Sequence, residues 1–325
     1  SSAMDAANLT YQALNQQKLL SVIVPVFNRA PVLKTCLESI RLQSYRPLEL
    51  ILVDNNSEDE SLQICLEYQQ QYHTADFSIA VLQETKKGAC AARNKGYAAS
   101  TGDYLLFFDS DDRLYPDYAA VMFREAALQH NPPLLACKAD IEDRDRRFVF
   151  PKRIHAQPAA QLYDPVLKTA SCLIRRDLME KCGPWDEDLQ RWQDLEFGFR
   201  LLLHAPEICW ILRPLFFSGV LGDSITSASY SADHHKMNLS LDKIRQHIDQ
   251  QKAEEKPALL KALAFKTISM AALLHREQSF DLSKQYYKKG LSLCPTKSGT
   301  VLLRLHYLYT RHGGRGFWRL AEKIL

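Results

Sequence analysis

The sequence predicts an α/β fold: a sheet of mainly parallel strands flanked by helices, followed by an α-helical C-terminal region. Three observations predict it. Apolar runs of strand length alternate with helical patterning over the first hundred residues, as parallel doubly wound sheets do. Several of those runs end in Asn or Asp, and ligands in open α/β sheets bind at the carboxyl ends of strands. Beyond Asp233 the strand signals stop and only helical periodicity remains. The expected organisation is an extension over residues 1–17, expected to be poorly ordered, a domain over 18–232, and a helical region over 233–325.

Each element has a local reason. Leu19 to Phe27 (LLSVIVPVF) is continuous, apolar and β-branched, which suits a strand buried on both faces. Pro31 then opens a helix with Leu33, Leu37, Ile40 and Leu42 on one side, because proline is tolerated in a first turn. Leu48 to Asp54 (LELILVD) is a second buried strand, and the polar turn after it leads to a helix over about Glu60 to Tyr72. Phe77 to Gln83 is a third strand, Ala89 to Ala99 a helix, and Asp103 to Asp109 (DYLLFFD) a fourth strand. Pro116 to His130 reads as a helix. Leu134 to Asp140, Arg146 to Phe150 and Ser171 to Arg176 read as shorter strands, then a helix over Gln193 to His204 and a strand at Ile208 to Leu212. The last region gives helices at Met237 to Gln251, Pro257 to His275, Leu282 to Leu293 and Gly299 to Leu325, broken at Gly313-Gly314.

Composition excludes several classes. At 46% hydrophobic and 24% charged the chain is neither disordered nor collagenous. No run approaches the roughly 20 apolar residues of a membrane-spanning helix. No basic segment followed by an apolar run opens the chain, so no signal peptide is expected. Its eight cysteines include no C-x-x-C pair, so neither a zinc ribbon nor a disulfide framework is expected, which points to the cytoplasm. The net charge of +3 hides an asymmetry: Lys236 to Leu325 carries 17 Lys/Arg against 7 Asp/Glu, so that region is +10 and the rest −7. Such a basic end suits an anionic partner or a solvated helical surface.

The segment with the most chemistry is FFDSDDR. Asp109, Asp111 and Asp112 follow a buried strand, and three carboxylates so close repel one another unless a cation compensates. A hard divalent ion is one compensation; capping of the helix near Pro116 is the other reading.

The order of features (SVIVPVFN, then ELILVDNNSED, then KKGACAARNKGYAASTGDYLLFFDSDD) resembles the family-2 glycosyltransferases of the GT-A fold, over about Leu19 to Ile225. That resemblance implies an inverting transfer of a sugar from a nucleotide-diphosphate donor, a UDP-sugar by family expectation. The acceptor would be a hydroxyl of a glycan or lipid-linked glycan. It implies that Pro25, Val26, Phe27 and Asn28 lie along the nucleoside and that Asp54 accepts a hydrogen bond from the base. It implies that Arg93, with Asn94 beside it, meets the nucleotide through its donor fork, the other reading of Arg93 being a surface charge. Asp109 and Asp111 match the family's D-x-D metal ligands for Mn2+ or Mg2+, with Ser110 between them against the nucleotide, and Asp112 binds the sugar or supports the turn.

The resemblance places the catalytic base in WDEDLQRWQDLEFGFRLL, where Asp194 is the candidate, Glu196 the runner-up and helix capping the alternative for Asp194. The chain departs from the family pattern at Asn55, where a second carboxylate is usual, and at Gln193, which replaces the first acid of the pair. No His or Arg precedes SGVLGDSITS, leaving Ser224 and Thr226 as loop candidates; His234 and His235 suit either a phosphate or metal contact or a solvated linker. Gln193 supports a second reading, a non-catalytic nucleotide-sugar-binding relative acting as scaffold or sensor. No nucleic-acid partner is expected. The chain end GGRGFWRLAEKIL suits either a peripheral contact with an anionic membrane or packing of Phe317, Trp318, Leu320, Ile324 and Leu325 within the molecule.

Overall fold

In the computed structural model, residues 2–5, 17–219 and 229–325 are described. The chain forms two compact units whose segments interleave in sequence. One comprises Ser1–Ile154, Leu167–Glu187 and His204–Leu221; the other comprises His155–Val166, Asp188–Leu203 and Gly222–Leu325. The helical region therefore recruits two earlier segments, including the helix at Gln193, that no periodicity in the sequence assigns to it.

The first unit is built on a nine-stranded sheet among the described residues. Strands β1 (Leu20–Val26), β2 (Leu48–Asp54), β3 (Phe77–Gln83) and β4 (Tyr104–Phe107) pair in parallel in the order β3-β2-β1-β4. The sheet continues antiparallel through β8 (Cys172–Arg175) to β6 (Leu134–Asp143); β9 (Cys209–Gly219) then pairs parallel to β6, and β5 (Asp112–Leu114) antiparallel to β9, with β7 (Arg146–Phe150) antiparallel on β6. Register aligns the carboxyl ends that matter: Val26 opposite Asp54, and Ile23 opposite Phe107. The central strands are buried on both faces, which is why they read as unbroken apolar runs.

Helices α1 (Ala30–Arg41), α2 (Ser61–Tyr72) and α3 (Ala89–Ala99) fill the crossovers. Pro31 lies in the first turn of α1, whose inward face is Leu33, Cys36, Leu37 and Ile40. Leu42, expected on that face, is 57% exposed because the helix ends at Arg41 and the periodicity ends with it. Gly96 of α3 lets the helix lie against the sheet, since a Cβ there would come within 2.4 Å of Ile23 Cγ2.

Between the crossovers and β9 lie α4 (Tyr118–Leu128), α5 (Pro158–Tyr163), a 3₁₀ turn at Thr169–Ser171 and α6 (Arg176–Cys182). Two strand expectations change. Strand β5 lies inside the acidic segment, and β9 runs past Arg213 and Pro214 to Gly219, with the register shifting between Cys137 and Ala139 of its partner β6. A bulge absorbs the proline that made the run look finished at Leu212.

The second unit is helical: α5 and α7 (Gln193–His204, to Leu203 in this unit), then α8 (Tyr230–Asp249), α9 (Lys256–Arg276), α10 (Phe280–Leu293), α11 (Lys297–Arg311) and α12 (Trp318–Ile324). Helix α8 begins at Tyr230, capped by Ser229, so His234 and His235 are helical; His234 Nδ1 is 2.8 Å from the Tyr286 hydroxyl rather than in a solvated linker. Helix α9 is the core. Eleven of its residues are buried, and Gly290 of α10 allows close approach, a Cβ there falling 2.6 Å from Ile268. By length and mean hydropathy (1.5) α9 is the one helix among the described residues that qualifies as a candidate membrane span. With 61% of that window buried, it reads as the core helix of a globular unit. All eight cysteines are free thiols, six of them buried.

Candidate functional site

At the end of β2 the Asp54 carboxylate is 3% exposed. Its Oδ2 accepts the Ser57 amide at 3.2 Å, and its Oδ1 is buried with no partner. A buried acceptor left open costs about 1–3 kcal/mol, so it fits a donor brought by a ligand. Asn28 has φ 50°; its Oδ1 accepts the Glu58 amide at 2.8 Å and its own amide donates to Ser57 Oγ at 3.0 Å. The loops after β1 and β2 are thus tied together. Val26 is fully buried and Pro25 half-buried, while Phe27, expected inside the strand, lies beyond it and is 49% exposed. A ligand along Pro25 to Asn28 would meet backbone and the Phe27 ring.

Asn55 has no open capacity. Its Nδ2 donates to the carbonyls of Glu84 and Lys86, both at 2.8 Å, and its Oδ1 accepts the Gly88 amide at 2.9 Å. The residue staples the loop that launches α3, a task a carboxylate could not perform because it has nothing to donate.

Arg93, on α3, is buried with its guanidinium 4.3 Å from the Trp185 ring and Nη2 3.4 Å from Asp109 Oδ1. Its Nε and Nη1 have no partner. A desolvated guanidinium with two unused N–H directions is a strong anion donor, so the surface-charge reading of Arg93 fails. Asn94 faces elsewhere: its Nδ2 donates to the Trp185 carbonyl (2.8 Å) and Glu187 Oε2 (2.9 Å), and its Oδ1 accepts the Trp185 amide (2.9 Å). It holds Trp185 over Arg93, and both ends of its side chain are engaged.

Asp109, Asp111 and Asp112 present carboxylate oxygens all within 4.8 Å of one another. Asp109 is partly exposed, Ser110 and Asp112 are buried, and Asp111 is intermediate. Burial pushes the Asp112 carboxyl well above the usual carboxylate range, and the charges of Asp109 and Asp111 push it further; Ser218 and Lys168 oppose this. Asp111 is raised for the same reasons, burial first and Asp109 second, with Arg29 opposing. An all-oxygen, partly buried, self-repelling donor set fits a hard divalent cation such as Mn2+ or Mg2+. Asp112 also opens β5 opposite Ser218 of β9, so the helix-cap reading of this triad gives way to a strand start.

In the helical unit, Asp194 is exposed in the first turn of α7, and its Oδ1 accepts the Leu195 amide at 3.0 Å. Trp192 before it has φ 58°, an unusual conformation for a bulky residue. Lys266 of α9 sits 4.7 Å from the Trp192 ring; burial pulls its ammonium down to about 8, while Asp194 and Asp164 pull it up. Glu196, the runner-up, is fully buried: Arg200 Nε donates to its Oε1 at 2.8 Å and His247 Nε2 lies 2.9 Å from the same oxygen. That arrangement makes Glu196 a structural anchor of α7. Ser224 and Thr226 lie outside the described residues.

Sequence reasoning missed Trp185, Arg29, Lys168 and Ser218 as site neighbours. Arg29 adjoins Asn28, and Trp185 and Ser218 open segments that the resemblance drew on for other residues; Lys168 carried no signal.

The residues that build this site fall within a span, 21–177, that matches the family model described as glycosyl transferase family 2. The chain is 29% identical over 208 residues to the putative glycosyltransferase EpsH of Bacillus subtilis, covering 61% of this chain and 59% of that one. It is 36% identical over 184 residues to a PGL/p-HBAD biosynthesis glycosyltransferase of Mycobacterium tuberculosis, covering 56% of this chain and 69% of the relative. Across EpsH, the Escherichia coli glycosyltransferase YibD and the B. subtilis glycosyltransferase EpsJ, the chain spans between 36% and 66% of the relatives' length. Among solved structures, S. aureus TarS 1-349 in complex with UDP-GlcNAc superposes with a TM-score of 0.60 at 18% identity, covering 91% of this chain and 92% of that 1-349 chain. The mannosyltransferase PcManGT of Pyrobaculum calidifontis, in complex with GDP-Man and Mn2+, gives 0.55 at 17% identity, covering 95% and 97%. At such identities the likeness shows a shared GT-A type fold.

Proposed function

Since the chain belongs to glycosyl transferase family 2, we propose that it is an inverting glycosyltransferase that moves a sugar from a nucleotide diphosphate to a hydroxyl of a glycan or lipid-linked glycan. A UDP-sugar is the donor favoured by the resemblance. The observation that carries the reading is the pairing of open groups in the sheet unit: an unpartnered Asp54 Oδ1 and two unpartnered Arg93 N–H groups, with the acidic triad beside Arg93.

In this reading Asp54 accepts an N–H of the base, and the Pro25 to Asn28 backbone lies along the nucleoside. Arg93, held by Trp185 and Asp109, donates to the diphosphate. Asp109 and Asp111 would hold Mn2+ or Mg2+, which when bound offsets the diphosphate charge and helps the nucleotide leave. Asp194, exposed in the first turn of α7, takes the proton of the acceptor hydroxyl as that oxygen attacks the anomeric carbon; the bond to the β-phosphate oxygen breaks and the nucleotide departs with the electron pair. Glu196 cannot serve, because its carboxylate is committed to Arg200 and His247.

The experiment is calorimetric titration of UDP with and without MnCl2. The parent should bind in a manganese-dependent way, and Asp111→Ala should lose about tenfold or more in affinity, consistent with a charge-assisted contact. If Asp111→Ala bound UDP as tightly as the parent in manganese, the metal assignment would be wrong. Turnover of a UDP-sugar separates the enzyme from the scaffold reading that Gln193 supports.

A further inference from the structure

The exposed surface of the helical unit carries a feature independent of the donor site. Helix α11 carries apolar residues on its outer side as well as on its inner one. Leu302, Leu303, His306 and Tyr307 face the core, while Val301 (58% exposed), Leu305 (52%) and Leu308 (44%), spaced i, i+4, i+7, form a stripe on the outside. Tyr309, 47% exposed, borders it. A surface helix normally spends that face on polar residues. The motif expected to supply apolar anchors, at the chain end, does so only in part: Phe317, Trp318 and Leu325 pack on the core, leaving Leu320 and Ile324 outside.

Along the chain on either side of the stripe, between Asp281 and Glu322, the charge has one sign. Residues 282–321 contain eight Lys/Arg and no Asp or Glu. Among the described residues, Lys289 is the one of these eight held in an ion pair, with Asp242 at 2.7 Å. Lys297 and Arg304 flank the stripe on α11 itself, both exposed, and the Tyr309 hydroxyl donates to the Arg315 carbonyl, which keeps that segment beside it.

We propose that this face of α11 docks on an anionic lipid surface, with Val301, Leu305 and Leu308 entering the headgroup region and the surrounding cations meeting lipid phosphates. Charge and shape choose this occupant. A second copy meeting the same face about a two-fold axis would set two patches of unpaired cations against each other. A nucleic-acid backbone would meet the cations but leave the apolar stripe without a partner. An amphipathic helix with apolar anchors and a basic rim is the pattern that binds anionic membranes.

The test uses the full chain and large vesicles. Co-sedimentation should be strong with vesicles containing phosphatidylglycerol, weak with phosphatidylcholine alone, and reduced by salt. Leu305→Glu with Leu308→Glu, at exposed positions, should lower vesicle affinity about tenfold or more while the thermal melt and UDP binding stay unchanged. Lys297→Glu with Arg304→Glu should do the same through charge alone, so a folding failure in one pair leaves the other decisive. Absence of sedimentation with phosphatidylglycerol vesicles at low salt, or equal sedimentation of both variants and the parent, overturns the proposal. A parent dimer that the leucine pair dissolves, or binding to duplex DNA as tight as to vesicles, overturns it in favour of those partners. Loss of sugar transfer would leave this inference standing, since its readout is vesicle binding.

Discussion

At the scale of single residues, the site depends on which polar atoms are satisfied and which are left open. Asn55 and Asp54 are adjacent, yet the first is saturated within the protein and the second is not. Restoring the acid usual in the family, by Asn55→Asp, should not improve donor binding. It would set a carboxylate against the Glu84 and Lys86 carbonyls and leave both without a donor, at a cost of about 2–4 kcal/mol. Thermal unfolding should fall by several degrees, with UDP affinity unchanged or lower. An unchanged melt with tighter UDP would show that the Asn55 contacts contribute nothing. The sequence exposed Asp54 and the acidic triad because they close or follow a buried strand, and Arg93, inside a helix, only through the resemblance of its AARN segment. It could not expose Trp185, whose place over Arg93 depends on Asn94 reaching a segment 91 residues away.

At the scale of elements, what was legible depended on how far each was set by its own neighbours. Strands β1, β2 and β4 are buried on both faces, so their runs are unbroken and their ends sharp. Strand β5 is three residues of acid, base and leucine, and exists because β9 pairs with it. Helix α11 offered a clear period but not the destination of its two faces. Its inner face holds His306, stacked 4.1 Å from Phe265, with Nε2 2.8 Å from Ser269 Oγ and Nδ1 3.1 Å from Thr310 Oγ1. Burial lowers this imidazole from the usual 6.5 to about 3, so the folded protein refuses a proton that the unfolded chain accepts. The stability this group contributes is therefore whole above about pH 6.5 and is lost as pH falls towards 3. The loss from this group between pH 7 and pH 5 should be on the order of 2 kcal/mol. His306→Phe keeps the stacking and removes the titration. Urea midpoints measured across that range should fall less steeply in the variant, whatever its stability at pH 7, and parallel slopes would mean the ring is hydrated.

At the scale of the whole molecule, the chain divides its chemistry between two compact units. The proposed donor residues, Asp54, Arg93, Asp109 and Asp111, belong to the sheet unit, and the proposed base Asp194 belongs to the helical one. The sequence showed the order of these motifs but not this division. Assigning α5 and α7 to the helical unit rests on packing against Met237, Phe265 and their neighbours, contacts that no local pattern encodes. The division makes the two roles separable. Asp194→Asn alters a side chain exposed on α7 whose one backbone bond, from the Leu195 amide, the amide oxygen can still accept, so folding should be unaffected. Since a base acts only on the acceptor proton, UDP affinity should stay within about twofold of the parent, while turnover should fall by about 10²–10⁴. The measurement pairs UDP titration with initial rates on a UDP-sugar and a hydroxyl acceptor. A fall in donor affinity as large as the fall in rate would make Asp194 part of the nucleotide site. Full turnover with an intact melt would move the proton transfer to another group, and Glu196, buried between Arg200 and His247, could not take it over without breaking the pair that anchors α7.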